Sequence, residues 1–227
     1  MEIKAIYEDN DVLVVDKPAG LVVVPDLIDI LAEQYPELKK VGEAPRYGVV
    51  HRLDKNTSGV LLVAKNVQSL IFLQKQFINR EVEKKYVALV EGTIKEDSGE
   101  IKTLIGRSPM DMRKQKAYSL ADVGPARREA ITEWKVLERF KDYTLLEVKI
   151  LTGRRHQIRC HLSYINHPIA GDKLYAFKNS KIPKGLARQF LHSAFLRIQL
   201  PNRETKEFKS GLPEELKEAL NNLEKHE

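Results

Sequence analysis

The chain is poor in cysteine: Cys160 is the single one among 227 residues, so no disulfide can close within it. Nothing therefore marks a cross-linked secreted scaffold, and a reducing compartment, the cytoplasm, is the expectation. Long apolar runs are missing too. None approaches the roughly 20 residues that cross a bilayer. Met1 to Glu8 alternates charged with apolar residues where a signal peptide would carry an apolar core. Internal repeats, low-complexity tracts and linker-like stretches are likewise absent, so one domain over residues 1–227, a monomer, is expected. Acidic residues are in mild deficit, 32 against 38 Lys and Arg, which gives a formal charge of +6 and a pI near 9.2. That imbalance is a modest pointer to a polyanionic partner. What is abundant is ordinary core material, 42% apolar, enough for a globular interior.

Hydrophobic patterning predicts more strands than helices. Ile3, Ala5 and Tyr7 alternate, Val12 to Val15 form a short apolar run ended by Lys17-Pro18-Ala19-Gly20, and a second run, Leu21 to Val24, suggests a hairpin or bent strand pair. Leu27 to Gln34 reads as a short helix broken by Pro36, and Glu37 to Arg46 as a loop. Val60 to Ala64 is a buried-strand run. Asn66 stands where a helix N-cap would, ahead of apolar residues at helical spacing through about Glu81. Strands follow at Tyr86 to Val90, Ile101 to Ile105, Ala130 to Leu137 and Thr144 to Leu151. Gly106 to Arg127, rich in Lys, Arg, Met and Ser, reads as a mobile basic loop. Thr152 and Gly153 would cap a helix from Arg154 to about Tyr164, with Arg155 and Arg159 on one face. A strand through Leu196, Ile198 and Leu200 and a helix from Pro213 complete the chain. The balance argues for an α+β fold on a large mixed, mostly antiparallel sheet flanked by helices.

The basic residues are not spread evenly. They gather at Arg46, His51, Arg52 and Lys55, at Arg107, Arg113, Lys114 and Lys116, and at Arg154, Arg155 and Arg159. The first group surrounds Asp54, in a polar, turn-forming stretch from His51 to Gly59 that runs straight onto the apolar Val60 to Ala64. A carboxylate flanked by cations at neutral pH is ionised and available for chemistry. The same aspartate can also be read as a turn residue supported by Asn56, Thr57 and Ser58. His51, His156, Cys160 and His161 invite a metal reading, but a closed zinc site needs four well-spaced ligands and no CxxC pair exists, so no metal is expected.

The segment HRLDKNTSGVLLVAK, His51 to Lys65, resembles the motif of the RluA family of RNA pseudouridine synthases, whose nucleophilic aspartate follows His-Arg-Leu. Further segments resemble the family in order: IYEDNDVLVVDKPAGLVV at Ile6 to Val23, KKYVALVEG at Lys84 to Gly92, GRRHQIRCHL at Gly153 to Leu162 and HPIAGDKLY at His167 to Tyr175. The resemblance spans essentially the whole chain. It implies the pseudouridine synthase catalytic fold, an RNA substrate, ribosomal or transfer RNA, and isomerisation of uridine without a cofactor. It implies that Asp54 attacks or activates the target uridine, Tyr86 packs on the displaced base and Arg159 pairs with Asp54. Arg52 would enter the space left by the flipped nucleotide, offsetting a few kcal/mol, roughly, of unstacking. His51, Lys55, Thr57, Arg154 and Arg155 complete the expected RNA-binding set. Two departures stand out. Many relatives carry an S4-type RNA-binding domain first, whereas strand signal here begins at Ile3 and leaves no room for one; many have histidine where this chain has Val24. A silent RNA-binding or assembly factor and a base-releasing nucleoside hydrolase are the competing functions.

Overall fold

The structure, a computed structural model, describes residues 2–225. Ten strands and four α-helices run along it: β1 (Ala5–Glu8), β2 (Val12–Lys17), α1 (Ile28–Gln34), β3 (Ser58–Ala64), α2 (Val67–Ile78), β4 (Glu83–Glu91), β5 (Ser98–Arg107), β6 (Gln115–Tyr118), β7 (Arg128–Arg139), β8 (Tyr143–Ile150), α3 (Gln157–Tyr164), β9 (Leu191–Gln199), β10 (Thr205–Lys209) and α4 (Glu214–Asn221). They fall into two compact units, one reaching to Lys84 and resuming at His192–Leu212, the other covering Lys85–Leu191 and resuming at Pro213.

In the first unit the strand order is β1-β2-β3-β9, with β10 paired to β9. β2 lies antiparallel to β3 with Val12 opposite Ala64 and Asp16 opposite Val60, while β3 and β9 meet in parallel at Ser58–His192 and Gly59–Ser193. All seven residues of β3 are buried, which is why its sequence is an unbroken apolar run and not an alternation. α2 lies against β3, with Leu73 joining Val12, Val14, Val60, Leu62 and Phe208 in one core. Its start is fixed as the sequence predicts: the Asn66 side chain accepts from the Ser69 N–H at 2.8 Å, satisfying a helix-terminal donor.

In the second unit the order is β4-β8-β7-β5-β6, all antiparallel. Tyr86, Ala88 and Val90 are all buried on alternate positions of β4, the period-2 signature of the sequence. α3 sits on β6 and β7, and Cys160 enters the core beside Ile105, Ala117, Ala130 and Tyr175. Apart from β3 against β9, the strand pairings within each unit are antiparallel, and with their helices they form the α+β class expected.

Three local expectations need correction, and one strand has no counterpart among them. Leu21 to Val24 forms no strand; a helical turn covers Val23–Leu27, because the Asp26 carboxylate accepts from the Val22 N–H and the Leu27 N–H donates to the Val22 carbonyl. Gly106 to Arg127 is not a plain loop, since it contains β6, whose Ala117 and Tyr118 are buried and whose Tyr118 ring carries the Arg127 guanidinium 3.8 Å from its centroid. α3 begins at Gln157, not Arg154, so Arg155 and Arg159 do not share a helical face. The Gln157 side chain is the reason: its Oε1 accepts from both the Thr152 hydroxyl and the Arg154 N–H, holding those residues in a turn, and His156 takes a left-handed conformation at φ 54°. Finally, β10 lacks a sequence signal because only Phe208 of its five residues, TKEFK, is buried.

Candidate active site

The first unit presents Asp54 on a loop fastened at several points. His51 begins it. The His51 Nε2 accepts from the Leu62 N–H at 3.0 Å, and its ring stacks on Phe77 with centroids 4.8 Å apart. Burial, with the nearby Lys84 cation adding to it, pulls the His51 pKa from 6.5 down to about 3, so the ring is a neutral acceptor. The sequence places His51 among RNA-binding residues; the structure gives it an anchoring contact. Leu53 is buried beneath the loop, whereas Arg52 and Lys55 are exposed. The Lys55 carbonyl accepts from the Gly20 N–H at 2.9 Å and from the Lys17 ammonium at 3.1 Å, and Lys17 is itself fully buried. The turn closes where the Thr57 N–H donates to the Asp54 carbonyl at 3.0 Å. Thr57 is buried, so of the RNA-binding set in this loop only Arg52 and Lys55 face solvent, while Asp54 is half-buried.

Beside this loop lies a cavity of about 790 Å³. Val22–Val24, Gly42–Ala44, Arg46 and Val49–Leu53 line it, together with Leu70 and Gln74 of α2. Arg46, Arg52 and Lys55 give it a positive rim, countered by Glu43.

The second unit carries the other two expected site residues. Tyr86 is held on β4 opposite Val148 of β8. Arg159 sits in the first turn of α3, and its guanidinium grips the Asp172 carboxylate with two bonds, Nε to Oδ2 at 2.7 Å and Nη2 to Oδ1 at 2.9 Å. Both members of the pair are buried. Asp172 also accepts from the Leu174 and Tyr175 N–H groups, and the Tyr175 ring lies 5.1 Å from the Arg159 guanidinium carbon. Tyr175 in turn accepts from the Gln115 N–H at 2.7 Å and bonds His156 Nδ1 at 3.1 Å, and burial raises its pKa above the usual phenol value. A planar guanidinium gripped by two parallel bonds is held in one orientation. Asp172 and Tyr175 are residues that reading roles from sequence missed, although both stand in HPIAGDKLY. Arg154 donates to the Glu129 carbonyl at 3.0 Å, and Arg155 is exposed, its Nη2 3.4 Å from the Arg113 carbonyl.

The histidine and cysteine of α3 are engaged in the core. His161 is bonded through both ring nitrogens to Thr103 and Thr132, and burial lowers its pKa to about 4. Burial pushes the Cys160 thiol up to about 12. Among the described residues no group of three or more His, Cys, Asp or Glu is placed to hold a metal ion. Nor, among them, is any helix long and apolar enough to cross a membrane.

Comparison with known proteins agrees across the chain. Residues 11–164 match the family model described as RNA pseudouridylate synthase. The chain is 46% identical over 193 residues to an uncharacterized RNA pseudouridine synthase of Aquifex aeolicus, covering 81% of this chain but 59% of that protein. It is 40% identical to the uncharacterized RNA pseudouridine synthase YlyB of Bacillus subtilis, covering all of this chain and 74% of the relative. It is 37% identical to the ribosomal large subunit pseudouridine synthase D of Yersinia pestis, over 96% of this chain and 70% of that one. Among solved structures, human RNA pseudouridylate synthase domain containing 1 superimposes with a TM-score of 0.83 at 28% identity, over 99% of this chain and 89% of the other.

Proposed function

Because the chain belongs to the RNA pseudouridylate synthase family, isomerases that act on RNA, we propose that it converts uridine to pseudouridine in large-subunit ribosomal RNA, with Asp54 as the reacting carboxylate. The observation that carries this reading is the HRLDKNTSG loop. It offers one carboxylate, closed into a turn by the Thr57 N–H and mounted at the entrance of a fully buried strand. The choice of ribosomal RNA follows from relatives such as the Yersinia pestis ribosomal large subunit pseudouridine synthase D.

The reaction breaks the bond from the ribose C1′ to the uracil N1, turns the base and forms a bond from C1′ to C5; C5 gives up its proton and N1 gains one, with no net redox change. A carboxylate can assist in two ways: by attacking C1′ and departing when the carbon-carbon bond forms, or by removing the C2′ proton and returning it. The proposed role of Arg159 is to meet charge on the reacting carboxylate, and that of Tyr86 is to hold the face of the extruded base by stacking. Arg52, Lys55, Arg154 and Arg155 supply cations for phosphates, which position the RNA without reading its sequence. No step requires a metal or an organic cofactor.

The test incubates the protein with ribosomal RNA fragments carrying labelled uridine. Pseudouridine with no free uracil supports the proposal; uracil release would instead identify a hydrolase, and neither product a binding factor. Asp54→Asn is expected to bind the fragment and make no pseudouridine, and turnover by that variant would overturn the assignment. A 2′-deuterium isotope effect on the chemical step separates proton removal from attack at C1′. Binding should weaken steeply with salt, as phosphate neutralisation demands.

A further inference from the structure

We infer that Ser58 and His192 form a positioning pair that sets the direction of Asp54, an inference that rests on Asp54 being the reacting carboxylate. His192 lies on β9 with no exposed surface, and both of its ring nitrogens have partners. Nε2 is 3.0 Å from the Ser210 carbonyl oxygen. A carbonyl only accepts, so Nε2 carries a proton, and in the neutral ring Nδ1 is left as the acceptor. The Ser58 hydroxyl, 2.9 Å from Nδ1, must then donate to it. The tautomer is fixed from outside the loop, and it selects a hydroxyl at position 58.

Ser58 follows Thr57, whose N–H closes the turn on the Asp54 carbonyl at 3.0 Å. The four-residue turn is thus locked at its own backbone and, one residue later, to a neighbouring strand. Gly59 brings that strand close: its φ is +112°, and a Cβ there would lie 2.2 Å from the Ser193 carbonyl oxygen, so only glycine fits. Ser210 extends the clamp, its hydroxyl donating to Asp16 on β2 at 2.9 Å and its N–H to the Ala194 carbonyl at 3.0 Å. β2, β9 and Ser210, the residue that follows β10, thereby fix where β3 starts. Since Asp54 stands four residues upstream in a closed turn, they fix where its carboxylate points. Catalytic groups tolerate little error in this respect, a displacement of about 1 Å costing roughly a hundredfold in rate.

Ser58→Ala removes the donor with the least change of volume, and Ser58→Thr restores a hydroxyl. In single-turnover assays at saturating protein, Ser58→Ala is expected to slow pseudouridine formation by roughly 10- to 100-fold while RNA affinity stays within about twofold. Hydrogen exchange at the amides of residues 53–58 should speed up in the same variant, and Ser58→Thr should reverse both effects. An alanine variant with wild-type rate, or one with unchanged exchange in the loop, overturns the inference. So does a rate loss that is matched by lost RNA binding. If the wild-type protein itself makes no pseudouridine, the functional reading fails, while the exchange measurement still decides the clamp.

Discussion

Acidification should unlock the Asp54 loop through His51. The ring nitrogen that accepts the Leu62 N–H can take up a proton only by losing that bond, in a site already repelled by Lys84. Free in an unfolded chain the ring titrates near 6.5; folded, it titrates near 3. Between those values the unfolded state binds more protons, so the contribution of His51 to stability is complete above 6.5 and drains away as pH falls towards about 3. From pH 7.5 to 4.5 the loss has a ceiling of about 2.7 kcal/mol at about 1.4 kcal/mol per pH unit. His51 is only partly buried, and halving the figure for screening leaves about 1.3 kcal/mol. For a chain of this size that is a fall of about 3–5 °C in Tm.

The assay is thermal unfolding at pH 7.5 and 4.5 for the wild type and for His51→Gln, whose amide oxygen can accept from Leu62 but does not titrate. Carboxylates held below their usual range, Asp9 and Asp111 among them, lose protection equally in both proteins. The wild type should therefore drop about 3–5 °C further than the variant over this interval. Parallel pH dependence in the two proteins would refute the reasoning, because it would mean that the folded ring titrates as an ordinary imidazole.

Lys84 is the opposite case, a buried ammonium whose pKa is lowered by burial to about 8. Its charge destabilises the folded state at neutral pH, and the wild type should gain stability from pH 8 to 10.5, where the unfolded chain binds more protons. Lys84→Met should be about 1–2 kcal/mol more stable than wild type in urea at pH 7, after allowing about 1 kcal/mol for the lost contact with the Phe77 ring. That advantage should shrink by pH 10. Asp172→Asn leaves the Arg159 guanidinium buried without its carboxylate and is expected to cost about 3–5 kcal/mol in the same denaturation assay. Asn66→Ala removes the cap of α2, and a loss of about 1 kcal/mol on unfolding checks it.

These contacts mark where the sequence could be read and where it could not. The β3 run, the alternation of β4 and the Asn66 cap were legible because a period or a cap depends on residues within one turn or strand. Sequence predicts a strand at Leu21 to Val24 and misses β6 and β10 for a related reason. The Asp26 carboxylate, four residues ahead, draws the first of these into a turn, and the two missed strands owe their register to partners, with few apolar side chains of their own. Periodicity reports burial of side chains, not pairing of backbones.

The candidate site divides along the same line. Asp54 is nominated by the motif its neighbours carry, and His51 and Thr57, expected among the RNA contacts, make contacts that hold the loop. Arg159 shows the limit most clearly. In sequence it is the third arginine of a basic cluster, and apart from the family resemblance nothing local separates it from Arg155. In the fold Arg155 is solvent-exposed and bonds a backbone carbonyl at 3.4 Å, whereas Arg159 is buried and gripped by an aspartate thirteen residues on. A buried charge persists only with a partner whose geometry repays its desolvation, and that partner is chosen by topology. The sequence can therefore nominate cations for a candidate site, but which of them is buried and held in one orientation is decided by the carboxylates that the fold brings behind them.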